Sequence, residues 1–276
     1  MLKISELYIY PVKSLGGIRV DESRVTPMGL EYDRRWLLVD DNNDFVTQRQ
    51  FPKMALLSVA LRKSGITVSN KEYSESIDIP FNERGRSYER ITVTIWDDTC
   101  SGELVSAEAD NWFTKALGFR CRLVYMPDDT RRIVDQRYAN ENAITSFSDA
   151  YPFLLIGQAS LDELNSRLTE PIPMNRFRPN IVFSGAEPFA EDQYGHFKIG
   201  GVDFYGVKLC ARCVMTTVNQ DTGVNGKEPL KTLAKYRAKD NNILFGQNLI
   251  HKGSGQISVG DELILQHLVD DERFIV

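Results

Sequence analysis

The chain has 276 residues, a length that fits one large domain or two domains of modest size. Hydrophobic residues make up 42%, charged residues 26% and aromatic residues 10%, and these ordinary globular values exclude a disordered, collagen-like or disulfide-framework protein. Lysine and arginine number 33 and aspartate and glutamate 38, so the formal net charge of −5 argues against a general nucleic-acid-binding surface.

Signals for membranes and export are missing from the sequence. The longest apolar run, residues 153–156, has the length of a strand and falls far short of the roughly 20 residues that span a bilayer. Residues 1–6 lack the apolar core of a signal peptide. Four cysteines are too few for a disulfide framework in a chain of this length. We therefore expect a soluble, cytoplasmic protein with reduced thiols and no membrane contact.

Short β-type runs separated by turn residues dominate the chain. Residues 36–39 and 45–47 flank an Asp/Asn cluster, which predicts a hairpin. Because a helix does not follow each strand, the pattern favours a barrel or sandwich over a doubly wound sheet. The predicted fold class is therefore a mixed, β-rich α+β fold with a few short helices. Further strands are predicted at residues 4–10, 56–61, 91–96, 122–125, 180–183, 202–209, 214–218 and 262–268.

Three helices are predicted. Apolar residues recur with helical spacing between Ser106, a good N-cap, and Gly118, a good C-terminal residue. Ser160 and Glu163 form the pattern of a capping box at the start of the second helix. Pro229 is well suited to the first position of the third helix.

A polar stretch at residues 128–142 is rich in Arg, Asp and Asn and poor in core residues, which predicts a loop. We place a domain boundary just before it, near residues 118–121. The predicted division is a first domain over residues 1–120 and a second over residues 121–276.

The strongest local motif is the pair of Cys210 and Cys213, and four interpretations of it stay open. A thioredoxin-like pair would open a helix, whereas a β-branched run follows here. A structural zinc site needs four ligands, and Cys100 and Cys121 lie far away in sequence. Two buried thiols on adjacent strands would be ordinary for free cysteines. A single thiolate could instead bind a metal that a cofactor holds, with Arg212 helping to keep Cys213 ionised.

Several polar residues could hold an anionic group. Lys13 and Ser14 end the first predicted strand at a glycine-bearing turn, which suits a phosphate. Arg34 begins another strand, and Arg178 and Asn180 precede a third. The planar fork of arginine matches phosphate and carboxylate groups. Each of these residues also fits a solvated turn or a structural ion pair.

Three more residues are candidates for the same kind of site. Alternation after the predicted hairpin could point Arg49 inward. Ser148 and Asp149 precede the buried run at residues 153–156. An aspartate there is usually a turn former, but it could also donate a proton or orient a ligand in a cleft.

Short motifs follow one another in a specific order along nearly the whole chain. They include Tyr10-Pro11-Val12-Lys13-Ser14, Asp33-Arg34-Arg35-Trp36, Thr47-Gln48-Arg49-Gln50, Ser148-Asp149, Phe177-Arg178-Pro179-Asn180 and Cys210-Ala211-Arg212-Cys213. In this order the chain resembles proteins that have a MOSC domain (molybdenum cofactor sulfurase C-terminal) after a MOSC N-terminal β-barrel domain. It is similar to the bacterial members that reduce N-hydroxylated bases and to the mitochondrial amidoxime-reducing components.

The resemblance implies a β-barrel-type MOSC domain, a smaller β-rich N-terminal domain and a molybdenum–molybdopterin cofactor bound between them. It implies an oxidoreductase that reduces the N–O bond of small N-hydroxylated substrates. Cys213 would ligate molybdenum, Cys210 would be structural and Asp149 would be a second catalytic residue that manages protons. The cofactor-binding positions would be Lys13, Ser14, Arg34, Ser148, Asp149, Arg178 and Asn180.

Departures from the family concern partners. Some relatives carry a two-iron two-sulfur domain, which needs four cysteine ligands, whereas only Cys100 and Cys121 remain here. We therefore expect electrons from a separate ferredoxin- or flavin-type protein. We expect no membrane anchor of the kind that the mitochondrial relatives carry, and neither a membrane nor a nucleic acid is an expected partner. Ala150 stands where family members often carry a hydroxyl residue.

Two other functions are associated with MOSC domains. The first is a sulfur carrier for metal–sulfur cluster assembly, in which the cysteine bears a persulfide and no molybdenum binds. The second is pyridoxal-phosphate binding, which needs a Schiff-base lysine and for which Lys13 would be the candidate.

Overall fold

The computed structural model describes residues 1–81, 89–139 and 143–269. The strands are β1 (Lys3–Ile9), β2 (Ile18–Val20), β3 (Glu22–Thr26), β4 (Gly29–Leu30), β5 (Trp36–Val39), β6 (Leu57–Arg62), β7 (Gly65–Asn70), β8 (Ser76–Pro80), β9 (Arg90–Ile95), β10 (Asp98–Leu104), β11 (Arg122–Tyr125), β12 (Arg132–Ile133), β13 (Ile144–Thr145), β14 (Phe153–Gly157), β15 (Ile181–Ser184), β16 (Tyr194–Ile199), β17 (Val202–Ala211), β18 (Ala238–Lys239), β19 (Asn242–Lys252), β20 (Gly255–Ser258) and β21 (Ile264–Leu268). The helices are α1 (Ala107–Leu117), α2 (Gln158–Ser166) and α3 (Leu230–Leu233). The predicted β-rich α+β fold class is confirmed.

The largest sheet has the strand order β2-β1-β15-β14-β19-β17-β16-β21, with β18 paired to β19. Only β14 and β15 are parallel neighbours on this path in the described residues. Helix α2 connects these two strands, as a parallel pair requires a crossover. All five residues of β14 are buried, which explains its continuous apolar sequence.

Smaller sheets complete the fold. Their orders are β5-β11-β10-β9, β6-β7-β8, β20-β3-β4 and β12-β13. The start of the chain lies beside its C-terminal half, because β1 pairs with β15 and β3 pairs with β20. The division into domains at residues 120 and 121 stays a prediction.

The first helix forms as the sequence predicts. The hydroxyl of Ser106 accepts a hydrogen bond from the backbone N–H of Ala109, and Gly118 adopts the left-handed conformation (φ 77°) that ends the helix. The predicted capping box of α2 is wrong. Helix α2 begins at Gln158, and Ser160 donates instead to the buried carboxylate of Glu191 at 2.8 Å.

One predicted strand is wrong, and the predicted hairpin forms over a shorter length. The predicted strand at residues 214–218 is a short 3₁₀ helix, Val214–Thr217, because Thr216 and Thr217 donate their hydroxyls to nearby backbone carbonyls. The predicted hairpin of residues 36–39 and 45–47 forms as a short antiparallel pairing at Val39 and Phe45. Val46 N–H donates to the Leu38 carbonyl at 2.8 Å, and Asp40 N–H donates to the Asp44 carbonyl at 3.0 Å. The regular partner of β5 is β11.

Backbone pairing between two loops positions much of the candidate site. The segment after β1 runs beside the start of β5, where Lys13 N–H donates to the Trp36 carbonyl at 2.8 Å and Trp36 N–H donates to the Pro11 carbonyl at 3.0 Å. The N–H of Arg34 donates to the Tyr10 carbonyl at 2.9 Å. The fully buried Trp36 ring anchors this junction, so Lys13 and Arg34 hold fixed positions relative to each other.

His251 makes the stability of the core depend on pH. It lies on β19 with its ring edge-on to Phe153, at 5.2 Å between ring centres. Burial lowers the pKa of His251 to about 4, although a backbone hydrogen bond with Thr26 acts in the opposite direction. Between pH 4 and the ordinary histidine value near 6.5, the folded chain therefore binds fewer protons than the unfolded chain. The contribution is fully present above that range and is lost as the pH falls through it.

We expect this histidine to lower the free energy of unfolding by about 2 to 3 kcal/mol between pH 6.5 and 4. Urea denaturation of a His251→Gln variant should give a flatter pH dependence over this range. His196→Gln is the matched control, because His196 is only partly buried and bonds to Asp203. A wild-type slope in His251→Gln would show that another group is responsible.

Candidate active site

Every predicted site residue lines one cleft of about 260 Å³. These residues come from loops that are far apart in sequence. They are Lys13, Ser14, Arg34, Ser148, Asp149, Arg178, Asn180 and Cys213.

The cleft carries a large excess of positive charge. Among the described residues that line it, Asp149 is the one carboxylate. The cationic residues of the lining are Lys13, Arg34, Arg49, Arg178, Lys208 and Arg212. Such a lining favours an anionic ligand, because like charges gathered in a partly desolvated cleft repel one another unless an anion joins them.

Asp149 bridges two of these cations. Its carboxylate accepts a hydrogen bond from Lys13 Nζ at 2.6 Å and from Arg49 Nη2 at 2.7 Å. Burial alone would raise the pKa of Asp149, but the charges of Lys13 and Arg49 outweigh it and hold the pKa well below its usual value. Burial lowers the pKa of Lys13 to about 8 despite the nearby carboxylate. Asp149 is therefore ionised at neutral pH, and Lys13 is the group that titrates close to it.

Hydrogen bonds to neighbouring side chains of the protein fix the position of Arg34. Its Nη1 donates to the buried Asp33 carboxylate at 2.6 Å and to the Asn180 side-chain oxygen at 3.1 Å. The amide nitrogen of Asn180 donates in turn to the Tyr8 carbonyl at 3.3 Å. Asn180 thus braces Arg34 and the end of β1.

Arg178 is buried yet incompletely bonded. Its Nη1 donates to the Leu15 carbonyl at 2.7 Å, while Nη2 has no hydrogen-bond partner. The guanidinium lies 4.2 Å from the centre of the Tyr10 ring, and burial lowers the pKa of Arg178 to about 10, so it remains cationic at neutral pH. Gly17 permits this arrangement, because a Cβ there would lie 2.4 Å from the Tyr10 ring.

Three of the predicted residues have left-handed backbones. The φ angles are 68° for Ser14, 49° for Arg34 and 57° for Arg178. Side chains other than glycine rarely adopt this region, and such residues concentrate at binding and catalytic sites.

The two cysteines of the motif have different arginine partners. Arg212 Nη1 donates to Cys210 Sγ at 2.9 Å, whereas Arg49 Nε donates to Cys213 Sγ at 3.1 Å. The expectation that Arg212 supports the sulfur of Cys213 is therefore wrong, and Arg49 takes that place. Alternation along the sequence predicts only that Arg49 points inward and gives no sign of its contact with Cys213.

The structure narrows the interpretations of the cysteine pair. Both side chains are partly exposed, so the pair is not two buried thiols. The segment after Cys213 is a four-residue 3₁₀ helix rather than the α-helix of a thioredoxin-like site. The described residues contain no cluster of three or more His, Cys, Asp or Glu side chains that could hold a zinc ion.

Arg132 is a supporting residue that sequence reasoning missed. It lies in the stretch predicted as a polar loop, yet it is 4% exposed. Its guanidinium donates to the carbonyls of Ser146, Ser148 and Asp149 at 3.1, 2.6 and 3.1 Å. The hydroxyl of Ser148 pairs with Thr145 at 2.5 Å. Arg132 therefore fixes the loop that presents Asp149. The one sequence signal for this role is the position of Arg132 in a stretch that is otherwise typical of a solvated loop.

Buried donors without partners show what kind of ligand the cleft fits. Five polar atoms of its lining are buried and make no hydrogen bond: Ser14 Oγ, Arg49 Nη1, Tyr151 Oη, Arg178 Nη2 and Arg212 Nε. Leaving such groups unsatisfied is costly. A ligand with several anionic or carbonyl oxygens would satisfy them.

Both parts of the chain match known protein families. Residues 1–120 match the MOSC N-terminal beta barrel domain, and residues 142–264 match the MOSC domain. The mitochondrial amidoxime-reducing component 1 of Mus musculus is 34% identical, over 95% of this chain and 82% of the relative. The mitochondrial amidoxime reducing component 2 of Homo sapiens is 32% identical, over 94% of this chain and 82% of the relative.

A relative with a different name matches a smaller share of its own length. The molybdenum cofactor sulfurase of Solanum lycopersicum is 30% identical over 95% of this chain, but the match covers 35% of that protein. In the part of the chain that the structure describes, no helix has the length and apolar character needed to cross a membrane. The chain belongs to the MOSC family that includes the mitochondrial amidoxime-reducing components, as the order of its sequence motifs predicted.

Proposed function

We propose that this protein reduces the N–O bond of small N-hydroxylated compounds with a molybdenum–molybdopterin cofactor held in the cleft. The observation that carries the proposal is the set of buried, unpartnered donors, among them those of Ser14, Arg49, Arg178 and Arg212, in the cleft that Cys213 also lines. Similarity to amidoxime-reducing components over most of both chains supports the reaction class.

The residues of the cleft fit such a cofactor. The molybdopterin group carries a phosphate and a pterin with several polar edges, which match the unpartnered donors of Ser14 and Arg178. Arg34 adds positive charge to the same wall, braced by Asp33 and Asn180. The soft sulfur of Cys213 is a suitable ligand for the metal. When bound, the cofactor supplies two-electron oxygen-atom transfer at molybdenum.

In this proposal Asp149 orients Lys13 and Arg49 and balances their positive charge, and it does not donate protons. Its carboxylate is ionised and bonded to both Lys13 and Arg49, which differs from the proton-managing role that the family resemblance implied. Lys13, with its pKa of about 8, is the better proton source at neutral pH. Its ammonium is held by the Phe147 carbonyl at 2.7 Å and by Asp149.

The partners follow from the reaction class. Reduction of an N-hydroxylated substrate consumes two electrons, which we propose come from a separate ferredoxin- or flavin-type protein. A cytoplasmic location is part of the proposal, although the relatives are named as mitochondrial. We also propose that the domains divide near residue 120, where the first family match ends.

An activity assay tests the reaction class. Protein expressed in a host that makes the cofactor should reduce a hydroxylamine or a hydroxylated purine base to the amine with reduced viologen as donor. The amine is measured by chromatography against a boiled-protein control. Fully molybdenum-loaded protein that turns over none of these substrates would refute the reaction class.

Replacing the metal ligand tests the site. We expect Cys213→Ser to lose nearly all bound molybdenum, because a neutral hydroxyl is a poor replacement for a soft thiolate. Cys210→Ser is the matched control and should keep its molybdenum, since Cys210 bonds to Arg212 instead. Metal content is measured per chain by mass spectrometry. A metal-free wild-type protein that carries labile sulfur on Cys213 would favour the sulfur-carrier alternative.

The pKa of Lys13 predicts a pH limit for cofactor retention. The ammonium is present below about pH 8 and is lost above it, which removes a positive charge from the cleft. Because a bound anion raises the pKa of Lys13 above its value in the cofactor-free protein, we expect molybdenum release to be roughly tenfold faster at pH 10 than at pH 7. Lys13→Met should release the metal rapidly at both pH values, so that the pH step disappears. A step that survives in Lys13→Met would assign the titration to another group.

A further inference from the structure

Arg49 joins the two chemically active groups of the cleft. Its Nε donates to Cys213 Sγ at 3.1 Å, and its Nη2 donates to the Asp149 carboxylate at 2.7 Å. The remaining Nη1 is buried and has no partner. One planar guanidinium therefore contacts both the sulfur and the carboxylate and keeps one buried donor unused. A lysine offers no such fixed set of separate donors.

An aromatic ring covers the guanidinium from outside. The Trp96 ring lies 4.6 Å from the Arg49 guanidinium carbon, and Phe45 packs edge-on against Trp96 at 5.0 Å between ring centres. Trp96 remains 49% exposed and has a left-handed backbone (φ 56°) just after β9. A large exposed ring on a strained residue is unusual for a turn that serves only to reverse the chain.

We infer that Arg49, clamped by Trp96, is a positioning residue that tunes the electron-donating strength of the Cys213 sulfur. This inference rests on the proposed function, because it concerns the sulfur as a metal ligand. A hydrogen bond from a cation withdraws electron density from a thiolate and weakens its donation to a bound metal. The reduced state of that metal is then stabilised relative to the oxidised state, so the reduction potential rises.

Burial makes the contact effective. The Arg49 side chain is 17% exposed, so water screens its charge less than that of a surface arginine. The Trp96 ring removes solvent from one face of the guanidinium and favours the cation through its π electrons. Asp149 holds the other end of the fork, which keeps Nε aimed at the sulfur. Trp96 and Asp149 together fix the direction of the N–H···S hydrogen bond from Arg49 to Cys213.

A purely structural role for Arg49 makes a different prediction. If Arg49 only neutralised Asp149, its loss would change folding stability and cofactor content but not the electronic properties of bound molybdenum. The tuning role is therefore tested by spectroscopy and potentiometry on each variant, expressed per bound molybdenum. Activity serves as a separate readout.

The experiment compares holoenzyme of the wild type with Arg49→Lys, Arg49→Gln, Trp96→Phe and Trp96→Ala. Arg167→Gln is the matched control, because Arg167 lies over the Tyr236 ring at 4.0 Å and pairs with Glu163 outside the cleft. For each protein we measure molybdenum content, the molybdenum midpoint potential and the energy of the sulfur-to-molybdenum charge-transfer band. We also measure kcat and KM with a hydroxylamine substrate.

We expect Arg49→Gln to lower the midpoint potential, to move the charge-transfer band to lower energy and to reduce kcat about 10- to 100-fold per molybdenum. Arg49→Lys and Trp96→Ala should shift both spectroscopic quantities in the same direction by less, and Trp96→Phe should stay near the wild type. Molybdenum-loaded Arg49→Gln with an unchanged potential and band would overturn the tuning role while leaving the proposed function intact. A wild-type protein without molybdenum would overturn the proposed function, and the tuning role with it.

Discussion

The carboxylate of Asp149 is the interaction on which the rest of the site depends. It lies between Lys13 and Arg49, at 2.6 and 2.7 Å, in a cleft that otherwise collects positive charge. Without it, two cations would face each other with little water to screen them. The buried Arg132 secures the loop that presents Asp149 by donating to the backbone carbonyls of Ser146, Ser148 and Asp149. Asp149 thus neutralises part of the positive charge of the cleft, and the remaining positive charge is available to an anionic ligand.

The architecture explains how distant residues meet in one cleft. The segment after β1 pairs with the backbone at Trp36, which brings Lys13 and Arg34 to the same edge of the structure. Strand β1 also pairs with β15, and Arg178 lies just before that strand. Strand β1 therefore links the segment that carries Lys13 to the segment that carries Arg178 through the main sheet. Left-handed backbones at Ser14, Arg34 and Arg178 then turn the side chains of these loops towards one space.

Sequence reasoning succeeded where the signal was local or ordered along the chain. The α1 caps at Ser106 and Gly118 depend on neighbouring residues only, and both formed as expected. The family membership rested on the order of motifs across both halves, and the β-rich fold class rested on the short β-type runs separated by turn residues. The predicted capping box does not form because Ser160 donates its hydroxyl to Glu191, which lies 31 residues away in sequence. No local pattern reveals this partner. The run at residues 214–218 failed because threonine hydroxyls can bond to their own backbone.

The cysteine motif shows that neighbours in sequence need not be neighbours in space. Arg212 is the neighbour of Cys213 in the chain, yet the backbone after β17 turns its guanidinium towards Cys210 and the Phe177 carbonyl. Arg49, 164 residues away, reaches Cys213 instead. Each sulfur therefore has its own cation, but only the Arg49 fork also contacts the ionised Asp149. Cys210 is therefore bonded within the scaffold of the fold, whereas Cys213 presents its soft sulfur atom beside the charged groups of the cleft.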